Sequence, residues 1–204
     1  CSDGLFVDRR CIDQGDSANW GSAHRILMNR SVEAAVFENG SDSILEEGLA
    51  YDRCQVGILT NIDPSQHYGR FDVHTPEQVF TVLRTQVDVI LPTGAAVLNA
   101  SQPMLVDMAP LCDGEVIYFA RDAQLPVVVA HLAQGGRAVL LRQEQVVIAQ
   151  GQQETAIVRL NDIPLAEGGI ESAIDNVLAA AAAALALAVA PEIIRTGLET
   201  YIPA

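Results

Sequence analysis

Hydrophobic residues in this chain come in short blocks, separated by polar loops rich in glycine and proline. The spacing inside each block predicts an element. Leu5-Phe6-Val7 and Cys11-Ile12 flank the polar Asp8-Arg9-Arg10, which is the pattern of a small hairpin. Ser22 precedes a short helical pattern whose apolar face is Ile26, Leu27 and Met28. Val32 to Phe37, closed by Glu38, is a compact apolar run and reads as a buried strand. Gln55 to Ile62 reads as a second one. A short helix over Ser43 to Leu49 joins them, so the two are expected to be neighbouring parallel strands in a right-handed crossover.

Thr75-Pro76-Glu77-Gln78 is the clearest helix start. Threonine can cap, proline suits the first helical position, and glutamine three residues after the cap completes a capping box. Val79, Val82 and Leu83 continue with helical spacing, and Val87 to Leu91 reads as strand. Ala95 to Asn99, Glu115 to Ala120 and Arg137 to Leu141 read as further strands, with helical stretches from Ser101 and Leu125 between them. This alternation predicts an α/β fold with a mostly parallel sheet flanked by helices. After Gly135-Gly136 the pattern changes. Arg137 to Arg142, Gln145 to Ala149 and Ala156 to Leu160 look like a small antiparallel β extension, and Glu171 to Val189 is a long alanine-rich helix. Pro191 opens another. The organisation expected is a single α/β unit: a parallel part over 1–136, the β extension over 137–165, and C-terminal helices over 171–204.

Composition narrows the function classes. The 204 residues carry 26 acidic and 12 basic side chains, a formal net charge of −14. A nucleic-acid binder needs clustered positive charge, and an anionic membrane would repel this chain, so neither is expected as a partner. Every basic residue apart from histidine is arginine; the chain has no lysine. A Walker-type phosphate lysine, a Schiff-base lysine and a carbamylated bridging lysine are therefore excluded within these residues. Cys1, Cys11, Cys54 and Cys112 show no C-x-x-C spacing, as expected of reduced thiols in a cytoplasmic protein. The longest apolar run, Val177 to Ala190, is too short to span a bilayer. No signal segment opens the chain, and its first residue is cysteine, which fits a piece of a longer protein. No G-x-x-x-x-G-K-[ST], G-x-G-x-x-G or G-x-S-x-G is present.

Two expected strand ends carry candidate chemistry. Ligands in parallel α/β sheets collect beyond the carboxyl ends of the strands. Glu38 follows the first run, and a carboxylate there can hold Mg²⁺ and through it a phosphate; a solvated loop acid is the plainer alternative. Asn61, Asp63 and His67 follow the second, where a histidine and an acid could share a metal or substrate; an exposed loop histidine is again the plainer alternative. His74 lies at the Thr75 cap, and His24 and His131 fall in helical patterns that suit packing or surface roles.

The stretch Glu47 to Ile62 (EGLAYDRCQVGILTNI) resembles the central domain of cyanophycin synthetases, which are Mur-ligase-like enzymes. Arg84-Thr85-Gln86, the run Val89 to Ala100, Cys112-Asp113-Gly114-Glu115-Val116-Ile117 and Asp175-Asn176-Val177-Leu178 extend the resemblance over nearly the whole chain. It implies an α/β nucleotide-binding domain using ATP and Mg²⁺. The implied reaction forms an acyl phosphate on a carboxylate and joins it to an amine, adding arginine to the β-carboxyl of aspartate in an aspartate-containing polymer. ATP, arginine and that polymer are the partners implied, with a homo-oligomer possible. Position by position, the resemblance makes Glu38 the metal acid and His67 a catalytic and metal residue. Asn176 becomes the asparagine near the adenine, and Asn61 joins it in nucleotide binding.

The chain departs from the family pattern at the places where catalysis would sit. The phosphate-binding glycine-lysine loop belongs before Cys1, and the C-terminal domain that helps bind the amino acid belongs after Ala204. The usual E-T-A-R-G-G-I reads Glu38-Asn39-Gly40-Ser41-Asp42-Ser43-Ile44, and D-H-L reads Gln66-His67-Tyr68. Leu83 stands where the bridging lysine is expected, N-A-D-D-P reads Asn99-Ala100-Ser101-Gln102-Pro103, and Ala173 replaces a polar amide. Two readings follow: a ligase domain of a divergent enzyme, or a degenerate non-catalytic domain kept for structure or assembly. In both, the isolated chain is expected to be inactive.

Overall fold

A computed structural model describes residues 1–8, 10–63, 65–165 and 170–201, with the side chain of Ile170 excepted. The chain forms two compact units, residues 1–52 with 63–83, and residues 53–62 with 84–204.

In the first unit, β1 (Gly4–Val7) and β2 (Arg10–Gln14) form the expected antiparallel hairpin. Helix α1 (Trp20–Leu27) is capped by Asn19, whose Oδ1 accepts from Ser22 N at 2.9 Å. Helix α2 covers Ser41–Glu47. The expected strand over 32–37 is absent: no ladder among the described residues includes it, and Val36 is 87% exposed. An apolar run of this length has no periodicity that separates a strand from an extended segment. Only a hydrogen-bonded neighbour makes it a strand, and it has none here. Val32–Phe37 and Gln55–Ile62 are accordingly not neighbouring parallel strands.

Helix α3 (Pro76–Asp88) starts where its capping box places it. Thr75 Oγ1 accepts from Gln78 N at 3.3 Å, and Gln78 Oε1 accepts from Thr75 N at 3.1 Å, so two orphan helix donors are satisfied reciprocally.

The second unit is built on a six-stranded sheet in the order β3 (Cys54–Leu59), β4 (Ile90–Asn99), β5 (Glu115–Ala120), β6 (Arg137–Arg142), β7 (Gln145–Gln150), β8 (Gln153–Arg159). The pairs from β3 to β6 are parallel, and β6–β7 and β7–β8 are antiparallel. The antiparallel extension is thus part of the same sheet. The short helix α4 (Pro103–Val106) and α5 (Pro126–Ala133) lie in the crossovers leading to β5 and β6. The expected strand over 87–91 and that over 95–99 merge into β4, because α3 runs on to Asp88 before the chain turns.

Chain topology explains the change of direction after β6. Arg142 pairs with Gln145, leaving only Gln143 and Glu144 to turn the chain, both at positive φ (49° and 61°). That is the left-handed pair a two-residue hairpin requires, here without glycine. At the amino edge of the sheet, a Cβ on Gly114 would stand 2.4 Å from the Gly94 carbonyl oxygen, so backbone meets backbone there.

Helix α6 (Ile170–Ala186) packs across β3 to β6, and α7 (Pro191–Glu199) packs on β8 and α6. Val97, Ile117, Phe119, Val139, Leu178 and Ala182 are fully buried between sheet and helix. Alanines on α6 allow the close approach, and alanine is also the strongest helix former.

Candidate functional site

The carboxyl edge of the sheet brings together Thr60 and Asn61 after β3, Asn99 at the end of β4, and Arg121 and Asp122 after β5. Asn99 is 4% exposed. Its Nδ2 donates to the Thr60 carbonyl at 3.0 Å, and its Oδ1 accepts from Ser101 N at 2.9 Å. One buried amide thus ties two strand ends to the loop that follows. Asn61 is exposed at the same edge, and its Oδ1 accepts from Thr60 Oγ1 at 3.1 Å.

Arg121 connects this edge to α6. Its Nη1 lies 2.9 Å from Glu171 Oε2 and its Nε 3.1 Å from Asp175 Oδ1. The guanidinium is held in its charged form, chiefly by the hydrogen bond it donates to the Glu171 carboxylate. Burial pushes the Asp175 carboxyl up, against the pull of Arg121, and the neighbouring Glu171 charge adds to the rise. These contacts fix the first two turns of α6, which carry Asn176 at an exposed position.

Asn176 lines a cavity of about 510 Å³ between α6, α7 and the segment around Ile163. Ala180, Ile194, Leu198 and Tyr201 form much of the rest of its wall. The lining is almost wholly apolar, with the Asn176 amide as a directional polar group. A flat apolar ring with a hydrogen-bonding edge suits such a site. Ala173 also lines it, where a polar amide would have supplied a second contact.

Glu38 and His67 lie in the other unit. Glu38 ends an irregular segment rather than a strand, so the strand-end argument for it as a metal acid no longer holds. Its Oε2 accepts from Ser2 N at 2.8 Å and Ser2 Oγ at 3.2 Å. His67 is exposed, immediately ahead of the Tyr68–Val73 bridge. Asp63 precedes it in the same connection after β3: its Oδ1 accepts from Ser65 Oγ at 2.7 Å and Ser65 N at 2.8 Å. Those bonds, with a smaller contribution from His67, hold its carboxyl below the usual range. Among the described residues no group of three or more histidine, cysteine, aspartate and glutamate side chains is gathered to hold a metal ion. All four cysteines are free.

Asn99 and Arg121 were missed as candidates. Asn99 falls in the run Val89 to Ala100 that carries the resemblance and at the head of the stretch that has lost its acids, with no role given to it, and nothing in the local pattern marks Arg121. Both acquire their roles from residues far away in the chain.

Comparisons with known proteins agree with the fold. No protein-family model matches the chain. Cyanophycin synthetase from Synechocystis sp. is 34% identical over 201 residues, covering 98% of this chain and 23% of that protein. Cyanophycin synthetase from Crocosphaera subtropica gives 34% over 201 residues, again 98% and 23%. The chain therefore spans under a quarter of the length of these relatives. Among solved structures, MurF from Acinetobacter baumannii superposes with a TM-score of 0.53 at 21% identity, over 83% of this chain and 33% of that one. A second structure from the same organism, of a UDP-N-acetylmuramoylalanyl-D-glutamyl-2,6-diaminopimelate–D-alanyl-D-alanyl ligase, gives 0.51 at 22%, over 74% and 29%. The sheet and helices described above are thus a fold shared with Mur ligases, and the sequence is similar to cyanophycin synthetases along nearly its whole length.

Proposed function

We propose that this chain is the Mur-ligase-like portion of an ATP-dependent acid–amino-acid ligase related to cyanophycin synthetases. The observation that carries the reading is the 34% identity running through 98% of the chain, on a fold that mostly parallel α/β sheets use to bind ligands at their carboxyl edge. The reaction proposed is transfer of the ATP γ-phosphoryl group to a carboxylate, giving an acyl phosphate and ADP. The amine of an incoming arginine then attacks the acyl carbon, forming the amide and releasing phosphate. The acceptor carboxylate is the side chain of an aspartate in a polymer.

The roles follow the chemistry of the residues present. Asn176 can donate and accept at the edge of an adenine seated in the apolar cavity, whose lining suits the faces of the ring. Asn61 and Arg121 lie on the sheet edge that would face the rest of the nucleotide, and Arg121, already committed to two carboxylates, positions α6. Mg²⁺, when bound, neutralises phosphate charge as the phosphoryl group transfers. Glu38 and His67 remain the proposed metal and catalytic residues, each with an exposed polar group to offer. A cytoplasmic location suits an ATP-consuming reaction, and among the described residues no helix is long and apolar enough to cross a membrane.

A second reading, a non-catalytic domain retained for structure or assembly, is favoured by the absence of any lysine and by Leu83 at the bridging-lysine position. Saturation-transfer NMR with millimolar ATP separates the two. Transfer concentrated on the adenine protons and lost in Asn176→Ala supports the nucleotide site and the ligase reading. No transfer, or transfer indifferent to Asn176→Ala, supports the second.

A further inference from the structure

Helix α1 has two apolar faces, and only one is covered. Ala23 and Ile26 are buried. Trp20, His24, Leu27 and Met28, at i, i+4, i+7 and i+8, form a second stripe. Trp20 is 41% exposed, Leu27 47% and Met28 70%. Helices of this length ordinarily turn charge, not tryptophan and methionine, to water.

The stripe is ordered. The Trp20 and His24 rings stack with centroids 4.6 Å apart and planes 11° from parallel. Trp20 N donates to Glu47 Oε2 at 2.9 Å, which brings a second helix's carboxylate to the root of the tryptophan. Asp16 Oδ1 caps Ala18 N at 2.9 Å just ahead of it. The amino end of the stripe is therefore aromatic and acidic. At the other end Arg25 is neutralised by Asp13 at 3.2 Å, and Arg30 follows the helix.

We propose that this face of α1 docks an arginine-bearing amphipathic peptide segment of another protein. A guanidinium is planar and weakly hydrated, so it can lie against the exposed Trp20 indole while pairing with the exposed Glu47 carboxylate. Apolar side chains of the same segment cover Leu27 and Met28. Eight residues at a rise of 1.5 Å put the two contacts about 12 Å apart, which sets the spacing in the partner. Charge complementarity selects this occupant. A chain of net charge −14 repels an anionic lipid surface and a second copy of itself, and attracts a basic segment. The surface shares no residue with the cavity at Asn176, and the inference stands whether or not the ligase reading does.

Trp20 is the only tryptophan, so its emission reports this face alone. The probe is a synthetic helical peptide with one arginine and leucines seven and eight positions away. Titration should give a saturable emission change. Affinity should fall at least tenfold when the peptide arginine becomes glutamate, and likewise in the Glu47→Gln and Met28→Ser proteins. Glutamine retains an oxygen for Trp20 N, so Glu47→Gln removes charge without removing the contact, and far-UV circular dichroism checks the fold of both variants. Equal binding of the glutamate peptide, or no saturable change, overturns the proposal. So does an emission change driven by protein concentration alone, which would make a second copy the occupant, or a stronger response to phosphatidylserine vesicles than to the peptide.

Discussion

Asn99 donates to the carbonyl of Thr60 across 39 residues of sequence, at 3.0 Å, and so locks the ends of β4 and β3 together where ligands are expected to collect. Both of its polar atoms are used, and its side chain is buried. Asn99→Ala should lower stability by about 1–3 kcal/mol, because it strands the Thr60 carbonyl and the Ser101 N–H without partners. Urea unfolding of the two proteins reads this as a lower midpoint at unchanged slope. A midpoint that does not move would mean water replaces the asparagine without loss.

Two glycines should respond oppositely to alanine. A Cβ on Gly114 collides with the Gly94 carbonyl oxygen at 2.4 Å and the Leu91 carbonyl oxygen at 2.8 Å, and neither backbone can retreat without moving β4. Gly114→Ala should cost about 1–3 kcal/mol. Gly197 lies inside α7, and a Cβ there would meet nothing within 4 Å apart from its chain neighbours and the backbone of its own helix, so Gly197→Ala should gain about 0.5–1 kcal/mol from helix propensity. Thermal unfolding of both variants checks the pair of signs.

Asp175 links stability to pH. Burial, outweighing the attraction of Arg121, lets the folded chain hold this proton to a higher pH than the unfolded chain does. Its favourable contribution is therefore complete below the ordinary carboxyl value of 3.8 and is lost as pH rises through the elevated folded value. Asp175→Asn cannot ionise and escapes that loss. The melting temperature of the variant minus that of the parent should rise between about pH 3 and pH 7. A difference that falls over this range would show that the Arg121 pair outweighs burial.

The chain by itself should release no phosphate from Mg–ATP above a heat-denatured control. No lysine is available to neutralise the β- and γ-phosphates, and a net charge of −14 opposes a polyanionic nucleotide. Turnover above the control would mean that arginine serves in place of lysine here.

Some of this protein is dictated locally and was legible in the sequence. The Thr75–Gln78 capping box starts α3 because both partners lie within one turn. β5 over Glu115–Ala120 and β6 over Arg137–Arg142 fall where β-branched and apolar runs place them. The hairpin β1–β2 and the alanine-rich α6 are legible for the same reason: the forces that make them act between near neighbours. The similarity to cyanophycin synthetases was also carried by sequence alone.

Tertiary structure decided the rest. Val32–Phe37 has the composition of a buried strand, yet a strand exists only where another offers its hydrogen bonds, and this run has no such neighbour among the described residues. Whether the residues after Gly136 form a separate piece or extend the sheet depended on β6 pairing with both β5 and β7. Asn176 could be singled out by resemblance, but its cavity required α7 and Tyr201 to fold back on α6. Asn99 and Arg121 gain their partners, Thr60, Glu171 and Asp175, only when distant segments meet at one sheet edge. Periodicity reports which face of an element is apolar; it carries no information about which element will cover that face, because that choice is made by the packing of the whole chain.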